Sequence, residues 1–357
     1  MAIKKGKNLV GLNIGSSAVK IAEIKGAKRG AVLTNYGKMP LPPEAIVDGA
    51  LMNATVIVDA ITELVNMKKI KVKDVATSIS GHSVIIKKIN MPTMSEDELE
   101  ESIQWEAEQY IPFDINDVNV DVQILGGQDD ESGQMDVLLV AAKRDMINDY
   151  TAVITEAGLN PCVVDVDAFA LQNMFEVNYE LIPGETIVLC DIGASTININ
   201  VLRNGISAFT RDISIGGNQY TEEIQKQINV SYEEAEALKI GGDIGGADSE
   251  AVVPQEVEGI ISSVSANLAN DIQRSLDFYS ATSTEDQITK IYLSGGSSKV
   301  PGLSKVVEEK IGIPVELLNP FRNIEYSERA FDPAYMRQEG PSAAVAIGLA
   351  LRKMGDK

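Results

Sequence analysis

Short apolar runs and longer stretches of helical period alternate along the chain, which is the pattern of an α/β protein. Val10 to Ile14 reads as a strand that enters a Gly15-Ser16-Ser17 turn, and a second strand follows at once. Leu189 to Ile192 repeats the plan, with Gly193-Ala194-Ser195-Thr196 as the turn and Ile197 opening the next strand. In this repeat Asn13 matches Asp191, Gly15 matches Gly193 and Ser17 matches Ser195. Each copy reverses again downstream, at Lys25-Gly26 and at Arg203-Asn204-Gly205. The Asn-Gly pair is a strong hairpin signal, because both residues tolerate positive φ. Two copies of one hairpin half a chain apart predict two duplicated lobes.

The remaining elements follow from spacing. Val56, Ile57, Ala60, Ile61, Leu64 and Val65 predict an amphipathic helix over 53–68. Ser95 with Glu98 is a capping box that opens a helix ending before Pro112, with Leu99, Ile103, Ala107 and Tyr110 on one face. Val118 to Leu125 and Met135 to Ala142 read as strands, and Met146 to Ala157 as a helix closed by Gly158. Residues 83–162 thus form a strand-helix-strand-strand-helix unit between the two hairpin copies, and Leu181-Ile182-Pro183-Gly184 reads as a hinge linker. Gly216-Gly217 opens a helix to about 228, Ser231 and Glu234 cap another, and Gly241 to Glu250 reads as a mobile loop. From Pro254 a long helix carries Val257, Ile261, Val264, Leu268, Ile272, Leu276 and Tyr279 at near-heptad spacing. That stripe is expected to face the core of its own lobe, the alternative being a coiled coil with a partner.

Composition narrows the function. A chain of 357 residues is long enough for more than one core. Its net charge of −21 argues against nucleic acid and against direct attraction to anionic lipid. Lys4, Lys5 and Lys7 have no apolar stretch behind them, so no secretory signal is read, and no apolar run reaches the ~20 residues of a membrane span. The expectation is a cytoplasmic protein that meets membranes only through a protein partner, without inserting. Cys162 and Cys190 lie in strand-like runs and are expected in the core of a reduced protein. His82, the only histidine, sits in a Ser-Gly-His-Ser turn and is given a structural or solvated role.

Three features carry candidate chemistry. The Gly15-Ser16-Ser17 turn offers backbone N–H groups and hydroxyls to a phosphate. Its second copy adds Asp191, a carboxylate of the kind that holds a hydrated Mg²⁺. Ser294-Gly295-Gly296-Ser297-Ser298, followed by Pro301-Gly302-Leu303, is a strand, a double glycine and a helix start, suited to close approach of a flat ligand. Gly216-Gly217 is a fourth such turn, and each taken singly can also be a plain tight turn.

In this order the motifs resemble the phosphate-1 loop, phosphate-2 loop and adenosine motif of the superfamily of actin, sugar kinases and heat-shock chaperones. The resemblance implies an actin-like (ribonuclease H-like) duplicated two-lobe α/β fold. Lobe I would hold residues 1–82, completed by 163–185 and 335–357. The inserted 83–162 unit resembles the IC subdomain of the cell-division protein FtsA. Lobe II would hold 186–334, with a IIB part at about 218–285. The implied ligands are ATP and Mg²⁺, with Asp191 holding the ion through water. Asn13, Gly15, Ser16, Ser17 and Lys20 would face the nucleotide from one side, and Gly193, Ala194, Ser195, Thr196, Gly216 and Gly217 from the other. Gly295, Gly296 and Ser297 would meet the adenosine, with Glu236 and Lys239 near ribose and base. Asp165 and Asp167 fall where the superfamily places the acid that positions the attacking water.

Pro112-Phe113-Asp114, Asp167 to Leu171 and Asp191 to Ala194 are similar to the PilM family of type IV pilus assembly proteins in particular. That resemblance implies a cytoplasmic protein at the inner membrane that serves pilus (fimbrium) biogenesis and twitching motility. It would dock the cytoplasmic amino-terminal peptide of PilN beside the IC unit and link it to other inner-membrane components and to the motor. Ile111-Pro112-Phe113 is either a wall of that groove or a buried corner. Asn13 departs from the acidic residue usual in the phosphate-1 loop, so the expectation is ATP binding with at most slow hydrolysis. The alternative is an FtsA-like polymerising homologue, although no amphipathic membrane helix follows Ala343 to Leu351. Self-association stays open, and a kinase on the same fold rests on analogy alone.

Overall fold

The computed structural model describes residues 9–27, 30–126, 133–241, 255–283 and 287–355. Two of its sheets have the same plan. Strands β1 (Val10–Ile14), β2 (Ala18–Ala27) and β3 (Gly30–Pro40) form an antiparallel meander. A small hairpin, β4 (Ile46–Val47) and β5 (Ala50–Leu51), leads to helix α1 (Ala54–Met67), and β6 (Asp74–Ile79) then lies parallel to β1.

The chain leaves this sheet for β7 (Val84–Pro92), α2 (Glu96–Ala107), β8 (Val118–Gly126) and β9 (Gln134–Lys143). It returns through α3 (Arg144–Glu156) to β10 (Asn160–Val166), parallel to β6, and to α4 (Asp167–Asn178). The second meander is β11 (Thr186–Ile192), β12 (Ile197–Arg203) and β13 (Ile206–Ile213). Helices α5 (Asn218–Ile228), α6 (Tyr232–Lys239) and α7 (Gln255–Thr282) precede β14 (Ile288–Ser294), which pairs parallel with β11. Helix α8 (Leu303–Ile311) and β15 (Val315–Leu317) complete that sheet; β16 (Ile324–Tyr326) joins the edge of β3, and α9 (Pro333–Ala350) closes the fold.

The strand orders are β10-β6-β1-β2-β3, extended by β16, and β13-β12-β11-β14-β15. The same five positions recur in the same directions, so the duplication expected from the hairpins holds for whole sheets. The turn at Asn204-Gly205 takes positive φ at both residues (53° and 76°), as its sequence requires.

Each predicted helix forms where its apolar stripe is covered. Ile57, Ala60, Ile61, Leu64 and Val65 of α1 are buried on the first sheet, at about 1.5–3 kcal/mol for each large side chain removed from water. Val257, Ile261, Val264, Leu268, Ile272, Leu276 and Tyr279 of α7 lie in the core beneath the second sheet. The stripe therefore serves its own lobe. Sheet β7-β9-β8 and α2 share a separate core of Ile89, Met91, Leu99, Ile103, Val137 and Leu139 among others. By contrast, Met146, Tyr150, Val153 and Ile154 of α3 pack into the core of the first sheet.

Helix α9 binds the first lobe together. A methyl group at Gly11 of β1 would strike the Ala346 carbonyl, and one at Gly348 would strike the Ala170 carbonyl of α4. The helix thus rests directly on backbone at both contacts.

Four sequence expectations need correction. Cys162 is exposed, at the bulge between Pro161 and Val163 on the edge strand β10, whereas Cys190 is buried. Tyr110 lies beyond α2, which ends at Ala107. Lys25 and Gly26 continue β2, so the first reversal falls later. The closing helix begins at Pro333, with Asp332 as its N-cap, well before Ala343. The loop expected at Gly241 to Glu250 lies, after Gly241, outside the described residues.

Candidate functional site between the two sheets

The two hairpin turns meet. Gly15 N donates to Ala18 O (3.1 Å) and Gly193 N to Thr196 O (2.9 Å), so both turns close by the same bond. Ser195 Oγ donates to Ser16 Oγ at 2.8 Å across the gap between lobes. Ser16, Ser17, Ala194 and Ser195 thereby cap one cleft from opposite sides.

Cross-strand register builds the cleft walls. Asn13 lies opposite Lys20, and Lys20 opposite Lys38. In the second lobe Ser294, Asp191, Asn198 and Asp212 occupy one row over four strands. Side chains directly opposite on one face are close neighbours. The first-lobe row carries two lysines, on β2 and β3, and the second-lobe row two carboxylates, on β11 and β13. Lys20 Nζ donates to Asn13 Oδ1 at 3.2 Å. Burial lowers the Lys20 pKa, while the Asp191 charge opposes that change and Lys38 adds to it. Burial pushes Asp191 up to about 6, against the Ser294 hydroxyl, which donates to Oδ1 at 2.7 Å; nearby Asp167 raises it further.

The two aspartates around the β10–α4 junction have different partners. Asp165 Oδ2 accepts from Arg352 Nε at 2.7 Å, and its side chain is 3% exposed. Asp167 accepts from Ser78 Oγ at 2.5 Å. Burial raises the Asp167 pKa despite bonds from Ser78 and Ser80 and the charge of Lys20. Asp167 therefore shares the field of Lys20 and Asp191, while Asp165 is tied to Arg352.

The glycines divide in the same way. A methyl at Gly216 would come within 2.7 Å of Ala194 O, and one at Gly217 would meet the Ser297 side chain. Gly295, at φ +87°, lies on the Ile192 backbone. Gly217 N donates to Gly193 O (3.0 Å) and Asn218 N to Ala194 O (2.8 Å). Ser297 Oγ also donates to Gly193 O, at 2.8 Å. These three glycines therefore close the second-lobe loops onto one another. Gly296 differs, since the nearest atom to a methyl there is Ser342 Oγ at 3.8 Å. On α6, Glu236 and buried Lys239 pair with each other and with Thr221 Oγ1, below Gly217 O.

Asp212, Asn198 and Ser78 were not among the residues singled out from sequence. Neither was Glu339, which is 8% exposed on α9 and pairs with Lys299 (2.8 Å) and Lys38 (3.6 Å). Among the described residues no helix is long and apolar enough to cross a membrane.

Comparison with known proteins agrees with this geometry. The PilM of a PilM–PilN type IV pilus biogenesis complex superposes with a TM-score of 0.85 at 28% identity, over 98% of this chain and 99% of that one. MreB5 of Spiroplasma citri, solved with AMPPNP, shares the fold at TM-score 0.52 and 10% identity, over 97% of this chain and 95% of that one. FtsA of Neisseria meningitidis is 24% identical over 95% of this chain and 88% of its own length. FtsA of Streptococcus pneumoniae is 22% identical over 87% and 75%. The fold is that of the actin-like ATPases. The profile of the type IV pilus assembly protein PilM matches residues 11–354, nearly the whole chain, and this protein belongs to the PilM family.

Proposed function

We propose that the chain is an ATP-binding adaptor of the type IV pilus inner-membrane complex. It docks the cytoplasmic amino-terminal peptide of a PilN and couples that protein to the pilus motor. The observation that carries this reading is the near-complete likeness to a PilM solved with its PilN, together with two facing phosphate-type turns.

The residues present suit a nucleotide. Ser342 Oγ is buried without a hydrogen-bond partner beside the open face of Gly296, which favours a polar ligand group there. Asn13, Gly15, Ser16, Ser17 and Lys20 would receive the phosphates from the first lobe, and Gly193, Ala194, Ser195 and Thr196 from the second. Gly216, Gly217 and Gly295 would shape the cradle. Gly296 and Ser297, with Glu236 and Lys239, would border the adenosine. Mg²⁺ would be held through water at Asp191, where the ion would neutralise phosphate charge. Of the two aspartates, Asp167 would orient a water, because it shares the field of Lys20 and Asp191 while Asp165 is paired with Arg352. The neutral Asn13 beside Lys20 leaves the metal side short of charge, so hydrolysis is slow at most.

The unit built on β7, β8 and β9 would supply the peptide groove. Ile111 is buried there, while Pro112 is exposed and Phe113 half-buried beneath Lys143 Nζ, 4.5 Å from the ring centroid. Partner binding of this kind would hold the protein at the inner membrane without a span of its own. The test is calorimetry with Mg-ATP and with a synthetic PilN amino-terminal peptide on wild type, Asp191→Ala and Phe113→Ala. Loss of nucleotide binding in Asp191→Ala with peptide binding intact supports the reading. Unchanged Mg-ATP affinity overturns the site, and a wild type that ignores the peptide overturns the docking. The FtsA likeness favours a second reading, a polymerising homologue, which ATP-dependent sedimentation would reveal.

A further inference from the structure

The polar row of the second sheet continues beyond the cleft. Asp212 ends it, on the edge strand β13. One of its carboxylate oxygens accepts from Asn198 Nδ2 at 2.7 Å, and the other accepts from Gly81 N at 2.6 Å. Gly81 belongs to the turn between β6, in the first lobe, and β7, the first strand of the inserted unit. The turn is tight: Val84 N donates to Gly81 O at 3.0 Å, and Gly81 takes φ +91°. A second contact lies beside the first, with Ser214 Oγ and His82 Nε2 2.7 Å apart. Strands β13 and β7, both at the edges of their sheets, lie against each other here.

The inserted unit is therefore joined to the first lobe by covalent chain at both ends, through residues 80–83 and through the Lys143–Arg144 junction with α3. Its β7 end is joined to the second lobe by the hydrogen bond from Gly81 N to the Asp212 carboxylate. Only residues 80–83 separate β6 from β7, and such a segment spans at most about 3.3–3.6 Å per residue, leaving little slack. On its other side the turn meets the β4–β5 hairpin at van der Waals range, where Asp48 O lies 4.0 Å from the site of a Gly81 methyl. An ionic acceptor for a backbone N–H holds more firmly than that contact. When the lobes move apart, the turn must either part from Asp212 or be carried with β13.

We propose that Asp212 is a latch that makes the inserted unit follow the second lobe, so that opening or closing the cleft re-aims that unit relative to the first. Its consequence for peptide docking rests on the partner reading above; the latch itself does not.

Spin-label distances in the full-length chain test it on a Cys162→Ser background. One pair joins the inserted unit to the second lobe (Gln104→Cys with Glu222→Cys), and another joins it to the first lobe (Gln104→Cys with Thr62→Cys). Asp212→Ala should broaden the first distribution and leave the second unchanged. Asp212→Asn, which keeps a side-chain acceptor, should restore the native width. Exchange of the Gly81 amide should rise about tenfold or more in the alanine variant, as for a lost hydrogen bond to a charged group. Unchanged widths with Asp212→Ala would overturn the latch, as would equal broadening of both pairs. His82→Ala serves where Asp212→Ala misfolds, with the same two outcomes in milder form. Mg-ATP that shifts a Thr62→Cys with Glu222→Cys pair should leave the Gln104→Cys with Glu222→Cys distance in place. No shift in the former would count against the nucleotide reading alone.

Discussion

Replacing Asp191 by asparagine should make the protein more stable and unable to hold Mg-ATP. Burial moves the carboxyl from its ordinary 3.8 to about 6, with Asp167 adding to the shift and the Ser294 hydroxyl and Lys20 opposing it. That displacement corresponds to about 3 kcal/mol, at about 1.4 kcal/mol per pKa unit, borne by the folded state once the group is ionised. Water reaching the cleft and the burial of the asparagine amide reduce the net gain to about 1–3 kcal/mol. Asparagine Oδ1 can still accept from Ser294, so little is lost in exchange.

The sign follows from linkage. Below about pH 4 the carboxyl is protonated in both folded and unfolded chains, and the substitution changes little. Between about 4 and about 6 the folded chain keeps a proton that the unfolded chain releases, so wild-type stability falls relative to the variant as pH rises. Above about 6 the difference is constant. Chemical denaturation of both proteins from pH 4 to pH 8, with and without Mg-ATP, measures it. A variant less stable than wild type at neutral pH, or a difference flat in pH, refutes the reasoning.

Three further outcomes are expected. Asn13→Asp places a carboxylate beside Lys20 Nζ and should raise phosphate release from ATP with binding kept within a few-fold; a variant no faster than wild type would contradict this. Arg352→Ala strands the buried Asp165 carboxylate and should cost about 3–5 kcal/mol in urea denaturation, whereas an exposed pair would cost under about 1 kcal/mol. Gly295→Ala should yield little folded protein, since its methyl meets the Ile192 backbone at positive φ, while Gly296→Ala should fold normally and lose nucleotide affinity; equal thermal stability of the two variants would refute the division made between them.

The hairpin repeat, the capping boxes at Ser95 and Ser231 and the Asn204-Gly205 turn were legible because each depends on residues a few positions apart. Asp212 was not legible for a definite reason. Counting back from the turn pairs Arg203 with Ile206 and would set Arg211 opposite Asn198. A bulge between Val201 and Leu202 shifts the register by one, so Asp212 takes that place. The bulge between Glu23 and Ile24 likewise brings Lys38 to Lys20. A one-residue slip changes which side chain faces the cleft, and no local signal marks it. The glycine clusters were legible as sharp turns. Whether each turn meets a ligand or another loop depends on contacts between residues as distant as Gly193 and Ser297. Cys162 was misplaced because a strand-like sequence does not show the bulge between Pro161 and Val163 at which it lies.

The position of α9 sets an order of events during synthesis. Strand β1 is made long before α9, yet the backbone that covers Gly11 belongs to Ala346 of that helix. Until α9 emerges, the face of the first sheet that it covers waits uncovered. The second sheet is built from 186–317 alone and needs no segment from the far end of the chain to complete its strands. Long-range pairing is slow because closing a large loop precedes any gain from the contact. The later-made lobe should therefore become compact first, with the earlier-made lobe finishing around it. The interval in which that first sheet stands open is when this protein is most exposed to aggregation.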